Sequence, residues 1–181
     1  MKTLVPGAAA GRDFPRWSHT LEDGRKVAIR PLTSDDVEAE RLFIEMLSPR
    51  SRHYRFLGQV SRPGDALLRQ LTQLEYPRQV AFAAVPPDEP GQLAGVSRYS
   101  TDEQGSNCEC AVTVADAWQN HGLGTLLMQH LIEVARSHGV RTMMSIDLAD
   151  NVPMRELARD LGFQARSDPD DRHQVIYELA L

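Results

Sequence analysis

The feature that most restricts the fold of this chain is one ordered run: a strand, a short loop carrying two glycines, a long helix and a second strand. Residues 108–114 read as the first strand and 142–148 as the second. Between them an apolar stripe (Leu123, Leu126, Leu127, Leu131, Val134, Ala135) recurs at helical spacing over residues 122–138, and Gly139 ends it. A strand–helix–strand unit of this kind closes as a right-handed crossover, so the two strands lie parallel in one sheet.

The rest of the chain builds outward from that unit. Residues 26–30 alternate polar and apolar and stop at Pro31, as a short strand does. Thr33 or Ser34 caps a helix whose stripe is Ala39, Leu42, Phe43, Met46 and Leu47, and Ser48-Pro49 ends it. A second amphipathic helix is expected over about 64–74. Strands at 80–85, 93–99 and 108–114, joined by short turns, read as an antiparallel meander. A further helix is expected over 152–161, and Phe163 begins a strand that pairs with 174–179 as a hairpin. The expectation is one α/β (α+β) domain over residues 26–181 with a mixed sheet of six to seven strands. Residues 1–25 read as a loosely structured arm, with Phe14 and Trp17 as residues that could dock on the body.

Composition narrows the function classes. At 181 residues, 41% hydrophobic and 25% charged, the chain can bury a core and is not a disordered or low-complexity sequence. A net charge of −5 argues against a nucleic-acid coat. Apolar runs fall short of the roughly 18 residues of a membrane span, and the N-terminus does not read as a signal peptide. Cys108 and Cys110 sit one residue apart in a strand, where a bridge would span about 7 Å. A reducing, cytoplasmic setting is the simplest reading. Neither cysteine shows ligand spacing with the six histidines, so no metal is expected.

The chemistry concentrates in the loop Gln119-Asn120-His121-Gly122-Leu123-Gly124-Thr125. Backbone N–H groups that open a helix lack partners within it, and the helix dipole adds positive charge. Glycines let a ligand approach closely, so the loop suits a diphosphate. On Gly-x-Gly alone, tight packing at a helix start accounts for the glycines at least as well. A dinucleotide fingerprint would need glycine at Leu127, and a nucleotide-triphosphate loop would need Gly-Lys-Ser/Thr where the chain has Gly124-Thr125-Leu126.

Gln119-x-x-Gly122-x-Gly124 between a strand and a long helix resembles the coenzyme A loop of the GNAT superfamily of N-acetyltransferases. The order of elements over residues 26–181 fits, as does the run from Asn151 to Gly162-Phe163. Three stretches, Leu47 to Phe56, Val114 to Gln119 and Asp150 to Met154, are similar to the catalytic domain of bacterial Pat-type protein lysine acetyltransferases. Members of that group join the domain to a cyclic-nucleotide-binding or an acyl-CoA-synthetase-like region, neither of which is in this sequence.

The resemblance implies a central parallel pair, 108–114 and 142–148, splayed apart to admit acetyl-CoA. Val112, Thr113 and Val114 would then bond the pantetheine arm as an added strand would. Gln119, Asn120, His121, Gly122, Leu123, Gly124 and Thr125 would hold the diphosphate. Asn151 would bond the pantetheine, cap the last helix, or both. Glu109 is the candidate general base: it lies in an otherwise apolar strand, where a charge is expensive, and ten residues before the loop glutamine, as in Pat-type enzymes. The tyrosine that many members place seven residues after the asparagine is Ala158 here. Arg50, Arg52, His53 and Arg55 either read an acidic substrate surface or keep a helix end solvated.

The expected activity is direct transfer of an acetyl group from acetyl-CoA to a primary amine in a ternary complex, with protein lysine as first acceptor and a small amine as second. The rival is a silent acyl-CoA-binding sensor or partner module. No nucleic acid or membrane partner is expected, and the chain would act as a monomer or homodimer.

Overall fold

The computed structural model describes residues 15–58 and 62–181. Among them eight strands form one mixed sheet in the order β1-β2-β3-β4-β5-β6-β8-β7. The strands are β1 Trp17–Thr20, β2 Lys26–Pro31, β3 Gln79–Val85, β4 Gly95–Thr101, β5 Asn107–Val114, β6 Thr142–Leu148, β7 Gln164–Ser167 and β8 Gln174–Ala180. The helices are α1 Val37–Met46, α2 Pro49–Phe56, α3 Asp65–Thr72, α4 Leu123–Ser137 and α5 Val152–Asp160. The pair β5–β6 is parallel and every other pairing is antiparallel. The expected meander, crossover and final hairpin are all present.

Each face of the sheet carries a core. The fully buried Leu123, Leu127 and Leu131 of α4 pack on Val80, Phe82, Tyr99 and Met143 on one face. On the other, Phe43, Ile44, Leu68 and Leu71 of α1 and α3 cover Ala81, Ala83 and Val96. Strict alternation along β3 and β4 sends neighbouring side chains to opposite cores.

Two local expectations change. Residues 17–20, expected within an irregular arm, form β1, the eighth strand, paired with β2 from Trp17↔Ile29 to Thr20↔Lys26. Trp17 anchors it, stacked on His130 at 3.8 Å and edge-on to Phe82 at 5.3 Å. Phe14 lies outside the described residues. The basic stretch after Ser48 is a helix of its own, α2, because the Ser48 hydroxyl accepts the Ser51 N–H and Pro49 suits a first turn.

Candidate active site

The parallel pairing of β5 with β6 covers only Asn107↔Thr142, Cys108↔Met143 and Glu109↔Met144. Beyond that point β5 stays paired with β4 as far as Val114, and β6 with β8 as far as Leu148. The strands therefore part from Cys110 onward. The edge of β5 from Cys110 to Val114 that faces β6 has no strand partner, and a cleft of about 540 Å³ occupies the wedge.

At the wide end of the wedge the chain enters α4. A 3-10 turn, Asp116–Trp118, leads into Asn120 with φ +62° and Gly122 with φ +83°. No side chain caps α4. Among the described residues, the backbone N–H groups of Asn120, His121, Gly122, Leu123, Gly124 and Thr125 donate to no protein acceptor; the first to do so is Leu126, which bonds the Gly122 carbonyl at 3.1 Å. Alternating left-handed residues followed by an uncapped helix make a concave crown of amides suited to an anion. A methyl on Gly124 would sit 3.6 Å from both Leu157 and Val114, on the cleft wall.

Gln119 does something different from its neighbours. Its N–H bonds the Asp116 carbonyl at 3.4 Å, and its amide Nε2 donates to the Val114 carbonyl at 3.0 Å and the Ser51 hydroxyl at 3.3 Å. It braces the loop from inside. Asp116 reinforces that brace: its carboxylate accepts the Ser48 N–H, the Ser48 hydroxyl and the Ser51 hydroxyl at 2.9, 2.7 and 2.9 Å. Burial raises the Asp116 pKa, but these donors outweigh it and hold the carboxyl below its ordinary value. The turn after β1 supports the loop from behind: Arg25 donates to the Ala117 carbonyl at 3.0 Å and lies over the Trp118 ring at 4.0 Å.

Val112, Thr113, Val114, Gln119, Asn120, Gly122, Leu123, Gly124, Thr125 and Asn151 all line the wedge. His121 does not; its ring turns toward Asp23, 3.5 Å away. Asn151 caps α5, accepting the Met154 N–H at 3.3 Å, and its Nδ2 donates to Asp147 at 3.0 Å. Asp147 carries no signal in the sequence beyond its place in a strand, yet it faces the wedge. Burial pushes its pKa up, against the pull of Asn151 and the Leu148 N–H.

Glu109 opens instead into a neighbouring cleft of about 290 Å³, with Arg55, Arg98, Ser100 and Ala111. Its side chain is exposed, so the cost of burying a charge does not bear on it. The alternation of β5 explains this: Cys108 and Cys110 point into the core under α4, and Glu109 points the other way. Both cysteines are free, and burial pushes their thiols up, Cys108 to about 12. Neither is a ready nucleophile. Ala158 is buried in the core, 1% exposed. Tyr54 is the phenol in the wedge; it donates to the Asp150 carbonyl at 3.3 Å and accepts from Arg50 Nε at 3.1 Å. Tyr99 reaches away, its hydroxyl 2.7 Å from His138 Nδ1. No group of three or more His, Cys, Asp or Glu among the described residues could hold a metal ion, and no helix there is long and apolar enough to cross a membrane.

The family model described as "Acetyltransferase (GNAT) family" matches residues 43–163. The chain is 48% identical over 176 residues to Acetyltransferase PA5475 of Pseudomonas aeruginosa, covering 96% of this chain and 94% of that protein. It is 28% identical over 142 residues to Acetyltransferase Pat of Mycolicibacterium smegmatis; the match spans 78% of this chain and 42% of that longer protein. Among solved structures, the GNAT domain of S. lividans PAT superposes with a TM-score of 0.85 at 26% identity, covering 93% of this chain and all of that domain. The short β5–β6 pairing, the amide crown and the matched residues agree, and the chain belongs to the GNAT family as an N-acetyltransferase.

Proposed function

We propose that this chain transfers the acetyl group of acetyl-CoA to a primary amine, with protein lysine as first acceptor, by direct attack in a ternary complex. The observation that carries the reading is the run of N–H groups from Asn120 to Thr125 that have no partner among the described residues, beside the edge of β5 that β6 leaves. The crown suits the diphosphate, and Val112 to Val114 offer backbone groups to the amides of the pantetheine arm. Arg50, on the cleft wall, adds positive charge.

The chemistry supplied by the thioester is a carbonyl carbon that bonds to nitrogen as its bond to sulfur breaks. The acceptor arrives as an ammonium and must lose a proton before it can attack. Glu109 accepts that proton, directly or through a water, from the cleft that adjoins the wedge at Ala111. The released thiolate takes its proton from solvent, in keeping with Ala158 where many relatives place a tyrosine. Two free cysteines fit a reducing cytoplasm.

The test is thiol release from acetyl-CoA with lysine peptides and small amines, on wild type and Glu109→Gln. The reading expects turnover with at least one acceptor, and a loss of about a hundredfold or more in Glu109→Gln at neutral pH with acetyl-CoA affinity retained. Undiminished turnover in Glu109→Gln removes that residue from the mechanism. Saturable binding without thiol release on any acceptor turns the reading to a silent acyl-CoA-binding module.

A further inference from the structure

The wedge and the Glu109 cleft meet at Arg55, whose part-buried side chain lines both. The other arginines around it make hydrogen bonds within the fold. Arg98 donates to Glu40 at 2.9 Å and to the Leu71 carbonyl at 3.0 Å. Arg52 donates to the Glu45 carbonyl, and Arg50 to the Tyr54 hydroxyl. Asp147, the carboxylate on the far wall, is satisfied by Asn151 and Leu148. Among the described residues Arg55 makes no hydrogen bond and no ion pair; its one contact of note is the Phe56 ring, 5.0 Å from Cζ. Burial, then Arg98, push its pKa down to about 10. Glu40, Asp147 and Glu109 are near enough for their charges to act on it, yet none forms an ion pair with it; a guanidinium removed from water without a bonded anion is costly.

The cleft therefore holds a part-buried cation with no bonded anion, Arg55, and an exposed carboxylate, Glu109, whose charge reaches it; the other two carboxylates that act on Arg55 are taken up elsewhere, Glu40 by Arg98 and Asp147 by Asn151. Its charge pattern is that of a zwitterion's complement. We infer that Arg55 binds a carboxylate of the acceptor, so that the enzyme selects amines with a carboxylate near the nitrogen, the ammonium going to Glu109 and the carboxylate to the planar fork of Arg55. The inference rests on the proposed transfer and names the acceptor class for the same site. The carboxylate has two sources: an acidic residue beside a target lysine, or the carboxylate of a free amino acid.

The experiment compares matched pairs on the full chain: lysine peptides flanked by Glu or by Gln, and free lysine against lysinamide. Each pair is read as kcat/KM for thiol release at saturating acetyl-CoA, on wild type, Arg55→Gln and Arg55→Lys. The acetylated products of each pair are also titrated calorimetrically into the enzyme with CoA, so the comparison survives without turnover. Wild type is expected to favour the carboxylate member of one pair by roughly tenfold to a hundredfold, as a charge-assisted contact would. The ratio should fall near unity in Arg55→Gln and stay intermediate in Arg55→Lys, and the pair that responds identifies the source. The Tm of Arg55→Gln should not fall, since a purely structural Arg55 would show itself there. Ratios near unity in wild type for both pairs, in rate and in binding, overturn the inference, as does a preference undiminished in Arg55→Gln. Failure of every acceptor to release thiol would fell the proposed transfer alone, because the binding ratios still decide on Arg55.

Discussion

Ser48 and Asp116, 68 residues apart in sequence, are joined by two hydrogen bonds, from the Ser48 N–H at 2.9 Å and its hydroxyl at 2.7 Å. The pair fastens the start of α2 to the loop that opens α4. Asp116→Ala cuts that tie and the bond to Ser51 with it. The hydroxyls it frees are solvated, so the fold should change little. The amide crown loses its brace, and affinity for acetyl-CoA should fall by about tenfold. Calorimetric titration checks this; an unchanged Kd would show that the crown holds its shape without Asp116.

Two glycines of the loop should respond in opposite ways. Gly122 adopts φ +83°, so Gly122→Ala forces a left-handed alanine and should cost about 1 kcal/mol of stability. Gly124 has ordinary helical neighbours, and an added methyl meets only normal contacts at 3.6 Å. Gly124→Ala should keep or raise the Tm, because alanine favours the helix. The same methyl stands on the cleft wall where phosphate oxygens would approach, and acetyl-CoA affinity should drop by at least about tenfold. Equal affinities for wild type and Gly124→Ala would show that the ligand does not come near this turn.

His19 and His130 meet through their Nε2 atoms at 2.8 Å, so at most one proton lies between them. Burial, and then the nearby His19, push the His130 pKa below its ordinary value near 6.5, with Glu133 opposing them. A lowered folded pKa means that the unfolded chain binds the proton more readily. The stability it confers is therefore full above about pH 6.5 and is lost as pH falls through the folded value. Denaturant unfolding between about pH 8 and pH 5 should show falling stability, with a shallower slope in His130→Phe, which keeps a ring against Trp17. Parallel slopes would place the pH dependence elsewhere.

What the sequence reveals here is what is encoded locally. The α4 stripe, Gly139 after it, and glycines before it fix the crossover within about 40 residues. The loop and Asn151 are legible for the same reason. What escapes is set by distant partners. β1 is four residues long and owes its place to His130, 111 positions on from its bonded His19. The brace between Ser48, Ser51 and Asp116 spans two elements that no periodicity links. Glu109 stands out in the sequence as a carboxylate between two apolar-strand cysteines, but its exposure follows from which face of β5 the helices leave open. The basic run 50–55 looks uniform in sequence; only the fold shows that, among the described residues, Arg50 and Arg52 are hydrogen-bonded and Arg55 is not.

The most direct test of the account is titration of the folded protein with acetyl-CoA, followed by competition with coenzyme A. The account predicts saturable binding at one site per chain, displaced by coenzyme A and weakened in Gly124→Ala. Absence of heat and of saturation in protein that unfolds cooperatively would contradict it.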